Sequence, residues 1–223
     1  MKKKKNLIIF GTGKIAELAN YYFTNDSEYE VICFTADKGY ISEKTFCELP
    51  IVPFEMLENE YDVKTNFIFI ALSYSELNEI RKKKYLEAKN KGFKIASYVS
   101  SHATILNENN IGENAFILEN NTVQPYSVIG DNVTLWSGNH IGHHSVIGDH
   151  SFISSHVVIS GGVKIGDQCF LGVNSTIRDH ISIGSKSIIG AGALVLENLA
   201  SNTLLKGIDQ KISKVVNSSI KKL

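Results

Sequence analysis

Residues 141–164 read IGHHSV IGDHSF ISSHVV ISGGVK, four successive hexads that each open on isoleucine. Followed outward, the phase runs without a break from Val99 through Ile105, Ile111 and Ile117 to Ile183, Ile189 and Val195. All 17 positions on it are Val, Ile or Leu. Neither a helix nor a single strand repeats on six, so the chain must return to an equivalent wall every six residues. Three walls make one triangular coil of eighteen residues, and the run is long enough for about five stacked coils. The residue two before each aliphatic is mostly small (Ala115, Ser127, Ser145, Ser151, Cys169, Ser175), which suits a narrow prism interior. The residue after it is often glycine (Gly112, Gly130, Gly142, Gly148, Gly166), as expected where the backbone bends tightly or takes a positive φ.

The first hundred residues follow a different rule. Apolar runs alternate with helical patterns, the signature of a parallel α/β layer. Strands are expected at Leu7–Phe10, Val31–Thr35, 51–52 and Asn66–Leu72. Helices are expected at Lys14–Phe23, from Phe54 and at Ser75–Lys91, with a last strand, Phe93–Val99, leading into the first coil. The fold class is therefore a small Rossmann-like α/β domain, residues 1–98, followed by an all-β parallel β-helix, 99–200. A cap and tail, 201–223, closes the chain. Beyond Ala200 the aliphatic phase stops at Ser201. Asn202–Leu223 is expected to form a final strand and a basic tail, with Lys206, Lys211 and Lys214 either near a cofactor's phosphates or simply solvated.

Composition narrows the function. Lys and Arg balance Asp and Glu at 23 each, which argues against a nucleic-acid binder needing a basic face. The Lys2–Lys5 run reads as a solvated strand start. Leu7–Phe10 is too short for a signal peptide, and no stretch approaches membrane-spanning length, so a cytoplasmic chain without a membrane partner is expected. The three cysteines, Cys33, Cys47 and Cys169, have no pairing or metal spacing and read as reduced thiols.

Gly11-Thr12-Gly13-Lys14 falls between the first strand and first helix, where backbone N–H groups and the helix dipole can hold a phosphate. Gly11-x-Gly13-x-x-Ala16 imitates a dinucleotide fingerprint, with Asp37 placed as a ribose-binding acid. An NAD enzyme would need a longer domain, whereas a nucleotide-sugar diphosphate fits this one. A turn that merely closes the strand–helix joint is the bland alternative.

The chain as a whole resembles the bacterial nucleotide-sugar N-acetyltransferases of the bacillosamine-pathway type, within the sialic-acid O-acetyltransferase-like hexapeptide acyltransferases. The resemblance is carried by Ile9-Phe10-Gly11-Thr12-Gly13, by Asn78-Glu79-Ile80-Arg81-Lys82-Lys83, by His143-His144-Ser145-Val146-Ile147-Gly148 and by the run Val163–Ser175. It implies a left-handed β-helix, acetyl-CoA as co-substrate and a homotrimer with the cofactor between columns. The implied acceptor is a UDP- or dTDP-linked dideoxy amino sugar, made for glycan, O-antigen, capsule or lipopolysaccharide biosynthesis. By motif position His143 matches the catalytic histidine. Phe152, Val173 and Ala191 match acetyl-CoA positions, and Thr12, Gly13, Lys14, Ala36 and Asp37 match nucleotide-sugar positions. Ser73 and Tyr74 are added because ligands of open α/β sheets lie beyond strand carboxyl ends.

Five of the seven histidines fall between His140 and His156. Such density suggests a metal, but residues stack only when eighteen apart. His144, His150 and His156 must then leave from three sides, and no metal is expected. One histidine suffices as a general base. Eighteen residues after His143 stands Gly161, which should lie directly over it, about 4.8 Å away, with a backbone N–H available to an oxyanion. The position after His143 is acidic in the family and His144 here. His144 is expected to orient His143 by a hydrogen bond, Asp149, Glu119 or an acid from an adjacent chain could replace the missing carboxylate, and His140 is the second candidate base. An O-acetyltransferase, a non-catalytic trimeric nucleotide-sugar-binding protein and a passive solenoid are the competing readings.

Overall fold

The computed structural model describes residues 4–106 and 110–207; Lys211 and Lys214 lie outside them. The first domain is a sheet in the order β3-β4-β2-β1-β5-β6. Its strands are β1 (Lys5–Phe10), β2 (Tyr29–Ala36), β3 (Thr45–Phe46), β4 (Leu49–Pro53), β5 (Phe67–Ile70) and β6 (Lys94–Ile95). All neighbours are parallel except β3 with β4. The central strand β1 is apolar on both faces because both are covered. Leu7 and Ile9 pack on Ala16, Ala19 and Phe23 of α1 (Lys14–Asn25), whereas Ile8 and Phe10 pack with Leu57 of α2 (Leu57–Glu60) and with Tyr85 and Ala88 of α3 (Glu79–Asn90).

Two expectations shift. The last helix starts at Glu79 rather than Ser75, because Glu76, Leu77 and Asn78 take φ of 50°, 51° and 66°, a left-handed turn. Each such residue costs an L-amino acid about 1–2 kcal/mol, so the turn must be held by its surroundings. The expected strand 93–99 divides in two: β6 closes the α/β sheet, and β7 (Tyr98–Val99) opens the column by pairing with Phe116–Ile117.

The column is a left-handed parallel β-helix whose strands pair at a spacing of eighteen, as in Thr122 with His140 and Phe152 with Phe170. Wall one carries Phe116, Thr134, Phe152 and Phe170; wall two carries Thr122, His140, Val158 and Thr176; wall three carries Val128, Val146, Lys164 and Ser182. The aliphatic phase points inward and forms one continuous core from Ile117 to Val195. The small inward residues do more than save space. Ser145 Oγ donates to Ser160 O at 2.9 Å and accepts from Val163 N–H of the next coil. Ser151 repeats the pattern with Gly166 O and Cys169 N–H.

The glycines after each aliphatic are explained differently from the expectation. None of Gly112, Gly130, Gly142, Gly148 or Gly166 has a positive φ. They are required by close approach: a Cβ on Gly142 would stand 2.5 Å from Ser160 C and 2.6 Å from Gly161 N of the next coil. The positive φ falls instead two residues later, at Asn132, Gly138, His144, His150, His156, Gly162 and Gln168 among others. Three of the clustered histidines are thus corner residues. His144 lies at the edge between walls two and three, His150 between three and one, His156 between one and two. Among the described residues no group of His, Cys, Asp or Glu is placed to hold a metal. The repeat also outlasts Ser201. The final coil is two residues short, so Leu199 bridges to Ile183 and Leu204–Leu205 pairs with Ile188–Ile189.

The α/β domain sits on wall one. Phe69, Tyr98 and Phe116 pack ring against ring, Tyr22 Oη donates to Glu119 at 2.7 Å, and α3 spans the edge between walls three and one. There Asn114, Asn132 and His150 form a buried polar ladder. Asn114 Nδ2 donates to Asn132 Oδ1 at 2.7 Å, and Asn132 Nδ2 donates to His150 Nδ1 at 3.1 Å. Burial holds the His150 pKa below the ordinary 6.5, with Lys82 and Arg81 adding to it against Asp149 and Asp167. The folded state thus binds this proton less readily than the unfolded chain. The stabilising contribution is full above pH 6.5 and is lost as pH falls below it through the lower pKa of the folded state. His150→Asn, keeping a residue suited to the left-handed corner, is expected to flatten the acid-side fall in Tm; an unchanged Tm profile between pH 7 and 5 would contradict it.

Candidate active site

His143 and Gly161 share the edge between walls two and three. His143 is exposed, its ring tip lying against the bare glycine of the next coil: a Cβ on Gly161 would stand 2.7 Å from both Cε1 and Nε2. Its other nitrogen is engaged. Nδ1 of His143 and Nδ1 of His144 are 3.0 Å apart, one donating to the other, and the His144 ring lies 4.8 Å from Tyr126. With Nδ1 occupied, Nε2 is the nitrogen free for chemistry.

The N–H groups on this edge differ in a useful way. That of His143 donates to Gln124 Oε1 at 2.9 Å. One coil further, the residue in the place of Gln124 is Gly142, which has no side chain to offer. Among the described residues no acceptor takes the Gly161 N–H. A base nitrogen and an unused backbone donor therefore stand side by side, as acyl transfer requires.

The other histidines and acids do not converge here. Asp149 accepts from Asp131 N–H on the edge between walls three and one, and Glu119 binds Tyr22 and Ser137 between walls one and two. Neither can partner His143 within one chain, so His144 is its only ring partner among the described residues. His140 lies half-buried on wall two.

Phe152, Val173 and Ala191 line a cavity of about 330 Å³ with Tyr74, Trp136 and Phe170. Val173 and Ala191 lie on the edge between walls one and two, so wall two separates them from His143 and Gly161 within the chain. The spacing accounts for this: 143 and 161 differ by eighteen, whereas 143 and 173 differ by thirty.

A larger cavity, about 560 Å³, opens at the carboxyl ends of β1 and β2. Thr12, Gly13, Ala36, Asp37 and Ser73 line it. Lys14 is exposed on the first turn of α1 and does not, and Tyr74 points into the smaller cavity instead. Gly11 is held by backbone geometry, with φ +125° and Ala71 O 2.8 Å from where a Cβ would be. Gly13, the residue capping α1, has nothing within 4 Å of that point, leaving room for a ligand at the helix N-terminus.

Sequence reading missed Lys83, Lys84, Glu76, Ile80 and Tyr40, which complete this lining. Lys84 Nζ binds Asp37 Oδ1 and Glu87 Oε2, each at 2.7 Å. Burial opposes the Lys84 ammonium, but the two carboxylates outweigh it and hold its pKa above the ordinary 10.5. Tyr40 is 80 % exposed, an uncovered ring on a cavity wall. The basic run 82–84 was visible in sequence, but only the packing of α3 against the sheet brings Lys84 to Asp37, which follows β2.

Two repeat families match the column: "Bacterial transferase hexapeptide (six repeats)" over residues 126–161 and "Hexapeptide repeat of succinyl-transferase" over 162–197. No curated protein matches the sequence. Among solved structures, the chain is similar to the acetyltransferase domain of PglB from Neisseria gonorrhoeae at 22 % identity and TM-score 0.80, covering 90 % of this chain and 96 % of that one. It is equally similar to PerB from Caulobacter crescentus, solved with CoA and GDP-perosamine, at 22 % identity and TM-score 0.80, covering 94 % and 97 %. WeeI from Acinetobacter baumannii aligns at 20 % identity and TM-score 0.76, covering 92 % and 97 %. The fold is shared with all three over at least 90 % of this chain.

Proposed function

From the hexapeptide-repeat column this chain shares with bacterial transferases, we propose that it is an acetyl-CoA-dependent N-acetyltransferase acting on the amino group of a nucleotide-linked amino sugar. The observation that carries this is the pairing of His143 Nε2 with the unused Gly161 N–H on one exposed edge. PglB has been solved with acetyl-CoA and PerB with CoA and GDP-perosamine, which supports the same two ligand classes here. The nucleotide sugar occupies the 560 Å³ cavity, its diphosphate at the N-terminus of α1 by Gly13, its ribose by Asp37.

Acetyl-CoA supplies an activated acyl group. Its thioester lies at the His143–Gly161 edge, where Nε2 accepts the proton of the attacking amine and the Gly161 N–H donates to the carbonyl oxygen as charge develops; the C–S bond then breaks, and the proton passes from His143 to the departing CoA thiolate, leaving the amide and free CoA thiol. Phe152, Val173 and Ala191 hold the cofactor from a second copy, since in one chain they face away from His143. Val128, Val146 and Val158 are exposed on the two walls that meet at this edge, apolar surface that such copies would bury in a homotrimer. Positioning of the two substrates supplies much of the rate.

The test is product analysis. The purified chain, given acetyl-CoA and a panel of UDP-, dTDP- and GDP-linked amino sugars, is expected to yield one sugar heavier by a single acetyl group, resistant to mild alkali as an amide is. An alkali-labile product would point to O-acetylation. Stabilisation by a nucleotide sugar with no transfer to any acceptor would overturn the enzyme in favour of a binding protein.

A further inference from the structure

Within the stretch Asn78-Glu79-Ile80-Arg81, Glu79 and Ile80 line the larger cavity, whereas Asn78 and Arg81 take no part in the chemistry above and are buried against the column. Asn78 is 0 % exposed and Arg81 2 %. Among the described residues Arg81 has no carboxylate partner; its terminal nitrogens donate to Thr134 Oγ1, to His150 O at 3.3 Å, to Ser151 O at 3.2 Å and to Asn78 Oδ1 at 3.2 Å. Its guanidinium carbon is 5.6 Å from the Phe152 ring. Asn78 Nδ2 in turn donates to Cys169 O at 3.4 Å. One buried cation and one buried amide thus rivet the start of α3 to wall one of the column.

What they hold is the left-handed turn. Three successive non-glycine residues with positive φ relax elsewhere unless their surroundings prevent it. Neighbouring residues of this segment face different cavities: Ser73, Ser75 and Glu76 line the larger one, and Tyr74 lines the smaller, its ring 5.0 Å from Phe152 and 4.7 Å from Phe170. Phe152 is therefore touched by Arg81 and by Tyr74. The fork of an arginine reaches acceptors that a single ammonium could not span together: one terminal nitrogen takes Thr134 Oγ1 and the other is shared among Asn78 Oδ1, His150 O and Ser151 O, while Nε has no partner among the described residues. Burial of the guanidinium without a counter-charge lowers its pKa to about 9, a cost the fold accepts at this position.

We propose that Asn78 and Arg81 are positioning residues: they fasten the segment 73–78 to the column, so that a nucleotide sugar bound in the α/β domain is held in register with the acyl groove. The inference rests on the proposed transferase reading for its consequence, but the fastening itself stands on geometry alone.

The variants are Asn78→Gly, which keeps the positive φ without strain and removes the clip, Asn78→Asp, which keeps an acceptor for Arg81, and Arg81→Lys. In Asn78→Gly the amides of 73–78 are expected to exchange faster while the column strands stay protected. KM for the nucleotide amino sugar should rise about tenfold and KM for acetyl-CoA by a smaller factor, because Ser73, Ser75 and Glu76 line the nucleotide-sugar cavity whereas Tyr74 alone of the segment lines the other. Arg81→Lys should behave the same way, and Asn78→Asp, which keeps the acceptor for Arg81 but loses the donor to Cys169 O, should recover only part of the loss. Unchanged exchange at 73–78, or equal rises in both KM values with a lowered Tm, would overturn the proposal. A wild-type chain that transfers no acetyl group would sink the transferase reading instead, and the exchange comparison would still decide whether the clip exists.

Discussion

Replacing His143 with alanine is expected to lower the turnover of acetyl transfer by about 10²–10⁴-fold, the usual worth of a positioned general base. Both KM values should stay within about threefold, because a proton acceptor acts in the transition state rather than in ground-state binding. Stability should hold: the side chain is exposed, lies against His144 and the face of Gly161, and its N–H to Gln124 survives the change. Release of free thiol from acetyl-CoA measures the first quantity and thermal unfolding the second. An amine acceptor regains rate in the variant as pH rises and more of it is unprotonated. A hydroxyl acceptor gains nothing over the same range. Full turnover at neutral pH in the variant would remove His143 from the mechanism.

Gly161→Ala should fail just as clearly, for a different reason. The added methyl would lie 2.7 Å from the His143 ring tip, closer than real Cβ contacts come. The imidazole sits on an open edge and can swing aside, so the fold survives. The base and the thioester pocket do not. We expect kcat/KM to fall by about 10²-fold, the scale of a displaced catalytic group or a lost oxyanion donor, with Tm little changed. Gly142→Ala provides the contrast. Its methyl meets the backbone of Ser160 and Gly161, which cannot swing, so that variant should lose stability first. A fully active Gly161→Ala enzyme would show that the edge is not where acyl transfer happens.

These two glycines also show how far the sequence could be read. The eighteen-residue spacing alone placed Gly161 against His143, and the structure has them in contact. The same spacing separated His144, His150 and His156 onto three edges. What the repeat could not supply was which cause acts at each glycine: close approach to the next coil at Gly142 and Gly148, where the pattern had offered a tight bend or a positive φ, and positive φ at Gly138 and Gly162, which lie outside that pattern. Nor could it foresee the two-residue shortening that carries the walls on to Leu199 and Leu205, because a deletion looks like the end of a period.

In the α/β domain the strands and the Gly11–Gly13 turn were legible because burial on both faces leaves a plain apolar signal. The start of α3 was not, since Glu76, Leu77 and Asn78 have ordinary helical or turn propensity and adopt a left-handed path only under outside restraint. Nor was Lys84 beside Asp37, or Tyr74 in the cavity of Phe152 rather than that of Ser73. Each depends on how one element seats on another.

The order of the residues determined the column, its phase and the stacking of an imidazole against a bare glycine, because a parallel coil converts a fixed spacing in sequence into adjacency in space. Tertiary structure alone decided how the α/β domain is fastened to that column, through a buried arginine and a strained turn whose partners lie 53 to 91 residues away. A periodic pattern encodes the distances it repeats. Contacts between unlike domains repeat nothing, and they exist only once both surfaces have formed.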